Sequence, residues 1–239
     1  MIFLVLEESP GIRDSLCFTL LSCGIKGVPV SSYDEALQAF KTLSAIDGAI
    51  IDIDNKELKG TELIKELKER EDTKAVSIIL HTIQSNKEFV VKMVEFGIIG
   101  YLLKPFDEEK TSSKLKSLLD KNKGHTENNS RKHIRVKPEP DELLRLHFKL
   151  PDHPSMISGK ILDISMGGVA IEMFNPPPEG VLPAGKQIAK IEFTLSGSSL
   201  SISGVVILLK AKFLALRFGS LSSGNKNALA RYIFKRISD

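Results

Sequence analysis

The stretch "AIIDIDNKELKG" (residues 49–60) decides how the first half of the chain folds. Its first five residues, AIIDI, are an apolar run with a single carboxylate inside, and a polar loop follows at once. A strand that is apolar along its whole length is buried on both faces, which is the condition of a strand in a parallel sheet. Similar runs stand at 2–6 (IFLVL), 76–80 (VSIIL) and 99–103 (IGYLL), with a weaker one at 27–30 (GVPV). Between them apolar residues recur at helical spacing, as in Ile12, Leu16 and Leu20 and again in Phe89, Val90, Met93 and Val94. Ser9-Pro10 reads as the cap and first turn of the first helix, and Ser32 with Glu35 as a capping box. Gly24 and Gly97 read as helix stops.

Alternating strands and helices on this scale predict a flavodoxin-like doubly wound (βα)5 domain with its site at the carboxyl ends of the strands. The period then changes. "DKNKGHTENNS" (120–130) is polar and aperiodic and reads as a linker. Beyond it Leu144, Leu146, Phe148 and Leu150 alternate with polar residues, and so do Ile191, Phe193 and Leu195. Further strands read at 157–164, 169–174 and 200–218, around the turn-rich "NPPPEG", and a closing helix carries Leu229, Tyr232, Ile233 and Ile237 on one side. This second half predicts an antiparallel β-barrel with a C-terminal helix. The expected boundaries are a first domain at 1–121, a linker at 122–130 and a second domain at 131–239. There is no internal repeat.

Composition narrows the class. At 42% apolar and 26% charged, the chain is ordinary for a globular protein. Cys17 and Cys23, the two cysteines, read as small buried hydrophobes of a reducing compartment. The apolar start "MIFLVLEES" is too short for a signal peptide, and no run approaches spanning length, so a cytoplasmic protein is expected. Residues 1–120 hold 15 Lys/Arg against 20 Asp/Glu, a net of −5, whereas residues 121–239 hold 18 against 10, a net of +8. A basic second half suits an anionic ligand.

In a doubly wound sheet, Glu7 and Glu8 after the first strand, Asp52 inside the third, Thr82 at the end of the fourth and Lys104 after the fifth converge on one edge. Carboxylates so crowded repel one another unless a hard cation such as Mg²⁺ holds them. A carboxylate beside such a metal, with a lysine and a hydroxyl nearby, has what accepting a phosphoryl group needs. Residues 1–120 resemble the receiver domain of bacterial response regulators. "LVLEESPGIRDSL" is similar to its acidic pair and first helix, and "IIDIDNKELKGTEL" to its phosphoacceptor strand and loop, with Gly60 eight residues past Asp52. "ILHT" and "GYLLKPF" bring Thr82, Tyr101 and Lys104 at the family spacing. The resemblance implies phosphorylation at Asp52, metal binding by Glu7, Glu8, Asp52 and the Asp54 carbonyl, phosphate contact by Lys104, and a Thr82–Tyr101 switch. The acidic pair is Glu7-Glu8 where the family has Asp-Asp or Glu-Asp. The loop reads Asn55-Lys56 where the family has Met-Pro, so a rigid turn is expected to be lost.

In the second half, "RKHIR" (131–135) and "LDISMGG" (162–168) stand in order. Arginine forks bind phosphate or the guanine O6/N7 edge and stack on bases. Asp163 and Ser165 lie two apart on one side of a strand, where a carboxylate can accept from a guanine edge, and Gly167-Gly168 permits close approach. Residues 131–239 resemble a PilZ domain, whose signature is R-x-x-x-R followed by D/N-x-S-x-x-G. The resemblance implies cyclic di-GMP clamped by Arg131 and Arg135 over a floor of Asp163, Ser165, Gly167 and Gly168. The unbound clamp is expected to be disordered and to order on binding.

These readings predict a non-catalytic signalling protein whose sole chemistry is phosphoryl transfer to and from its own Asp52. Its expected partners are cyclic di-GMP, a sensor histidine kinase and an output protein, with room for a homodimer. One alternative is a receiver that is never phosphorylated and serves as a docking or dimerisation module. Another is a nucleic-acid-binding response regulator, against which stand the lack of a helix-turn-helix pattern and of stacking aromatics, with no Trp and three Tyr. No catalytic triad or metal-ligand spacing stands out, and His81 and His147 read as structural or surface residues.

Overall fold

The computed structural model describes residues 1–43, 45–84, 97–122, 133–150 and 156–238, apart from the side chains of 122 and 238. The helix expected around Phe89–Val94, most of the linker stretch, and Arg131 lie outside the described residues. The chain divides into two compact units, Met1–Arg131 and Lys132–Asp239.

The first unit is a five-stranded sheet, β1 (Ile2–Leu6), β2 (Lys26–Val30), β3 (Gly48–Asp52), β4 (Ser77–Thr82) and β5 (Ile98–Leu103), in the order β2-β1-β3-β4-β5. Every pairing is parallel, as the apolar runs demand. Pro29 is tolerated because β2 is an edge strand. The helices are α1 (Pro10–Ser22), α2 (Tyr33–Thr42), α3 (Gly60–Glu69) and α4 (Glu108–Asn122). Leu4, Leu6, Ile51, Leu63, Leu67 and Leu80 share one core layer with α2 and α3. The other face is close enough to α1 and α4 that a side chain at Gly27 would strike Cys17, and one at Gly100 would strike Leu118. Cys17 is buried as expected, whereas Cys23 is only half-buried. Burial pushes the Cys17 thiol up to about 12.

Three local readings need correction. Ser9 occupies the N-cap of α1 with Pro10 behind it, but its side chain makes no cap bond; its amide donates to the Glu7 carboxylate. Ser32 does cap α2, accepting from Glu35 N at 3.2 Å, but Glu35 reaches back to Ser31, one residue beyond the expected box. Helix α4 continues through Asn122, so residues 120–122 are helical and not linker.

The second unit is antiparallel. Strands β7 (Arg145–Lys149), β8 (Met156–Ser165), β9 (Gly168–Met173), β10 (Gln187–Leu195), β11 (Ser198–Lys210) and β12 (Phe213–Phe218) run in the order β8-β7-β10-β11-β12-β9, and β9 returns to β8. That last pairing closes a six-stranded barrel and removes its edges. A short strand β6 (Arg135–Val136) adds to β8. Inward residues alternate as expected, with Leu146, Phe148, Ile191, Phe193, Ile202, Leu214 and Leu216 buried. Helix α5 (Ser223–Ser238) buries Leu229, Tyr232 and Ile233. Glu142 Oε2 fastens it, accepting from Tyr232 Oη at 2.9 Å and from Arg236 Nη2.

Candidate functional sites

In the first unit the strand order reverses between β1 and β3, so a crevice opens at their carboxyl ends. It is an open cleft of about 610 Å³ lined by Glu7, Glu8, Ser9, Asp52, Asp54 and Lys104, among others. Asp52 is the last residue of β3, one residue nearer the strand end than read from sequence, and is 2% exposed. Its Oδ1 accepts from Lys104 Nζ at 2.6 Å and from Asp54 N at 2.9 Å. Gly60 makes room for this end of the strand, since a Cβ there would lie 2.1 Å from the Asp52 carbonyl oxygen. The expected loss of a rigid turn is offset by Asn55. Its Oδ1 accepts from Glu57 N at 2.8 Å, and its Nδ2 donates to Glu8 Oε2.

The acidic side chains have separate partners. Glu7 is 4% exposed, and its Oε2 lies 2.8 Å from Nδ1 of His81, itself 1% exposed. Its Oε1 accepts from Ser9 N at 3.1 Å. Burial pushes the Glu7 carboxyl up, but the bonds from His81 and Ser9 outweigh it and hold it below the usual carboxylate value. Asp54 accepts from Thr82 Oγ1 and Ile83 N, both at 2.8 Å, and lies 3.2 Å from Lys104 Nζ. Here too burial raises the carboxyl, and the three donors bring it below its ordinary value. Lys104 is desolvated, yet its bonds to Asp52 and Asp54 keep its pKa raised. Tyr101 is half-buried, with Lys114 Nζ 5.4 Å from its ring centroid.

These partners decide what a cation would meet. Among the described residues no three His, Cys, Asp or Glu side chains gather as a metal set. Each oxygen of buried Glu7 already accepts one bond, whereas Glu8 and Asp52 each keep one oxygen that no described residue donates to, so these two with the Asp54 carbonyl are the readier donors. Three oxygen donors of this kind fit Mg²⁺, which keeps several waters when protein supplies few ligands. Sequence reasoning missed the Glu7–His81 bond and the Asp54 side chain; the histidine at the end of an otherwise apolar strand was the available signal for the first.

In the barrel, β6 lies against β8 with Arg135 opposite Ser165. Arg135 Nη1 is thereby 3.2 Å from Asp163 Oδ1, so the last arginine of the first motif meets the aspartate of the second. The expected disorder does not hold for Arg135, which is a strand residue paired to a carboxylate. A register shift in the β8–β9 ladder between Ile161 and Asp163 re-aims Asp163 toward that pairing. Ser165 is 4% exposed and turns inward on its own hairpin, donating to Gly168 O and accepting from Gly167 N, each at 3.2 Å. The glycines have partners within the barrel. A Cβ at Gly167 would lie 2.3 Å from the His133 ring, and one at Gly168 would lie 2.3 Å from the Leu216 carbonyl oxygen. Backbone on a paired strand cannot yield cheaply, so Gly168→Ala is expected to cost about 1–3 kcal/mol. Calorimetry of the full chain should show the barrel melting several degrees lower, whereas Gly224→Ala, which meets open space, should not.

Comparison with known proteins matches both halves. Residues 3–116 match the response regulator receiver domain, and residues 129–235 match the PilZ domain. The chain joins a receiver to a PilZ domain. The receiver half is similar to the phosphate regulon transcriptional regulatory protein PhoB of Escherichia coli (strain K12), at 27% identity over 116 residues, 48% of this chain and 50% of that protein. It is also similar to chemotaxis protein CheY-3 of Vibrio cholerae, at 28% over 90 residues, 37% of this chain and 66% of that protein. The chain spans about half the length of the first of these relatives. Among solved structures, the PilZ domain with c-di-GMP of YcgR from Escherichia coli aligns at 21% identity and TM-score 0.39, over 46% of this chain and 93% of that one. Among the described residues no helix is long and apolar enough to cross a membrane.

Proposed function

We propose that this receiver–PilZ protein joins two inputs, phosphorylation of Asp52 and binding of cyclic di-GMP to the barrel. The observation that carries the reading is the 3.2 Å contact of Arg135 with Asp163, because it brings the last arginine of R-x-x-x-R and the aspartate of D-x-S-x-x-G to one place on the barrel. Arg135 is the fork for phosphate or the guanine edge, Asp163 the acceptor for guanine donors, and Arg131 the second fork. In the receiver, a carboxylate oxygen of Asp52 forms the new P–O bond while the bond from phosphorus to the donor breaks, and the leaving group departs with that electron pair. Lys104, already on Asp52, neutralises charge on the incoming group. Mg²⁺ held by Glu8, Asp52 and the Asp54 carbonyl would supply further charge neutralisation. The phosphodonor is a sensor histidine kinase, the output is a change in contacts with a partner protein, and no other chemistry is assigned to the chain.

A small phosphodonor with Mg²⁺ should add one phosphoryl group by intact mass, and Asp52→Asn should add none. Calorimetric titration with cyclic di-GMP before and after that treatment should show binding in both states, with an affinity that differs between them. A protein that neither gains mass nor binds the nucleotide would defeat the proposal. That each Glu7 oxygen already accepts a bond favours a second reading, a receiver that docks without being phosphorylated. Its signature is cyclic di-GMP binding with no mass gain at high Mg²⁺.

A further inference from the structure

Beside Asp52 two donors converge on an acceptor that is not Asp52, and a third is shared between the two acids. The Thr82 hydroxyl and the Ile83 amide, from the end of β4, each lie 2.8 Å from the Asp54 carboxylate. The Lys104 ammonium, after β5, is 3.2 Å from Asp54 Oδ2 and 2.6 Å from Asp52 Oδ1. A hydroxyl, a backbone amide and an ammonium aimed at one point make a compact oxyanion site. It is filled here by a carboxylate two residues along the chain. Asp54 is also the more engaged of the two acids: both its oxygens are bonded, whereas no described residue donates to Asp52 Oδ2.

A phosphoryl group on Asp52 would be a second anion within reach of the same ammonium. The three donors cannot fully serve both, and two anions held this close repel. We infer that the Asp54 side chain is an internal anion that occupies the phosphoryl site of this receiver and opposes phosphorylation at Asp52. The inference rests on Asp52 being the acceptor. It makes Asp54 a specificity-determining residue of the site, separate from the metal role of its backbone carbonyl. An incoming phosphoryl group must displace the carboxylate from Thr82, Ile83 and Lys104, so only a strong donor charges this receiver to a high level. Removing the charge lowers that barrier. Asparagine at 54 keeps the shape and one acceptor oxygen but releases the ammonium and ends the repulsion.

The test is titration of the full chain with beryllofluoride, a phosphoryl analogue, in the presence of Mg²⁺. Asp54→Asn should bind it at least tenfold more tightly than the wild type. In the ligand-free protein the Ile83 amide should exchange hydrogen faster in Asp54→Asn, and beryllofluoride should slow it again. Asp54→Ser, which shortens the carboxylate away, should give the same order if the asparagine variant melts too low to titrate. Adding Asp52→Asn to either variant should abolish the gain. Equal affinity in wild type and variant, abolished in both by Asp52→Asn, overturns the inference and leaves the acceptor reading standing. Weaker binding in the variants also overturns it, by showing that the Asp54 carboxylate assists the ligand. If no form binds beryllofluoride, both the inference and the acceptor reading fall.

Discussion

Arg135→Ala is expected to weaken cyclic di-GMP binding about ten- to hundredfold, because hydrogen bonds to charged groups are worth roughly 1.5–3 kcal/mol. In the ligand-free barrel the guanidinium rests 3.2 Å from Asp163. Its side chain is 48% exposed, and exposed ion pairs are worth about 0–1 kcal/mol, so a dinucleotide can take the fork at little cost. Arg135→Lys should lose most of the same affinity, since an ammonium keeps the charge without the fork or the stacking plane. Removing Arg131 as well should abolish measurable binding, and Lys121→Ala should change nothing. Asp163→Ala separates two roles for the carboxylate. If Asp163 reads guanine donors, its loss weakens binding. If it is only the counter-ion of Arg135, its loss frees the arginine and tightens binding, and the floor assigned to the site would have to be redrawn without it. Calorimetric titration of each variant measures all of these outcomes.

The parts of the molecule that were legible from sequence are those written in short-range periodicity. Runs such as IFLVL and AIIDI required strands buried on both faces, and helical spacing between them fixed a parallel sheet. The carboxyl ends of those strands then had to carry Glu7, Glu8, Asp52, Thr82 and Lys104 to one edge, which is where the cleft lies. The two-residue alternation of Leu144 to Leu150 announced the barrel in the same way. What periodicity cannot encode is which polar groups pair once the strands are side by side. The Glu7–His81 bond spans 74 positions, and the Arg135–Asp163 contact spans 28. Each depends on strand order and register, and β6 is too short, at two residues, to leave a pattern. The glycines carry a packing constraint that sequence does not show, for a related reason. Gly168 reads as a ligand floor, and its missing side chain is also required by the Leu216 carbonyl on a strand more than forty residues away. Asp54 was read for its backbone alone, since nothing local shows that its carboxylate would meet Thr82 and Lys104.

The buried bond between Glu7 and His81 should be the most costly single interaction to break in the receiver. His81 Nε2 is buried without a hydrogen-bond partner among the described residues. The other ring nitrogen, Nδ1, lies 2.8 Å from the Glu7 carboxylate, and a proton on it is donated to Glu7. His81→Val removes that donor and leaves a 4% exposed carboxylate with one amide for support. Removing the donor of a buried hydrogen bond to a charged group costs roughly 1.5–3 kcal/mol or more, and denaturant unfolding of the receiver should show a loss of at least that order. Adding Glu7→Gln should return more than about 1 kcal/mol, because the stranded charge is gone while the amide oxygen still accepts from Ser9. If the double variant is as unstable as His81→Val alone, the loss comes from the space His81 fills and not from the charge. The pH dependence supplies a second reading with a definite sign. In the wild type the Glu7 carboxyl titrates below its ordinary 4.5, so its contribution is present above that pH and is lost as pH falls through the lower folded-state value. In His81→Val the bond that opposes burial is gone, so the Glu7 carboxyl titrates higher than in the wild type and its ionised form contributes less stability as pH rises. The two proteins should therefore converge in stability toward pH 4 and separate toward neutrality, and a gap that stays constant across that range would show that Glu7 does not depend on His81 for its charge.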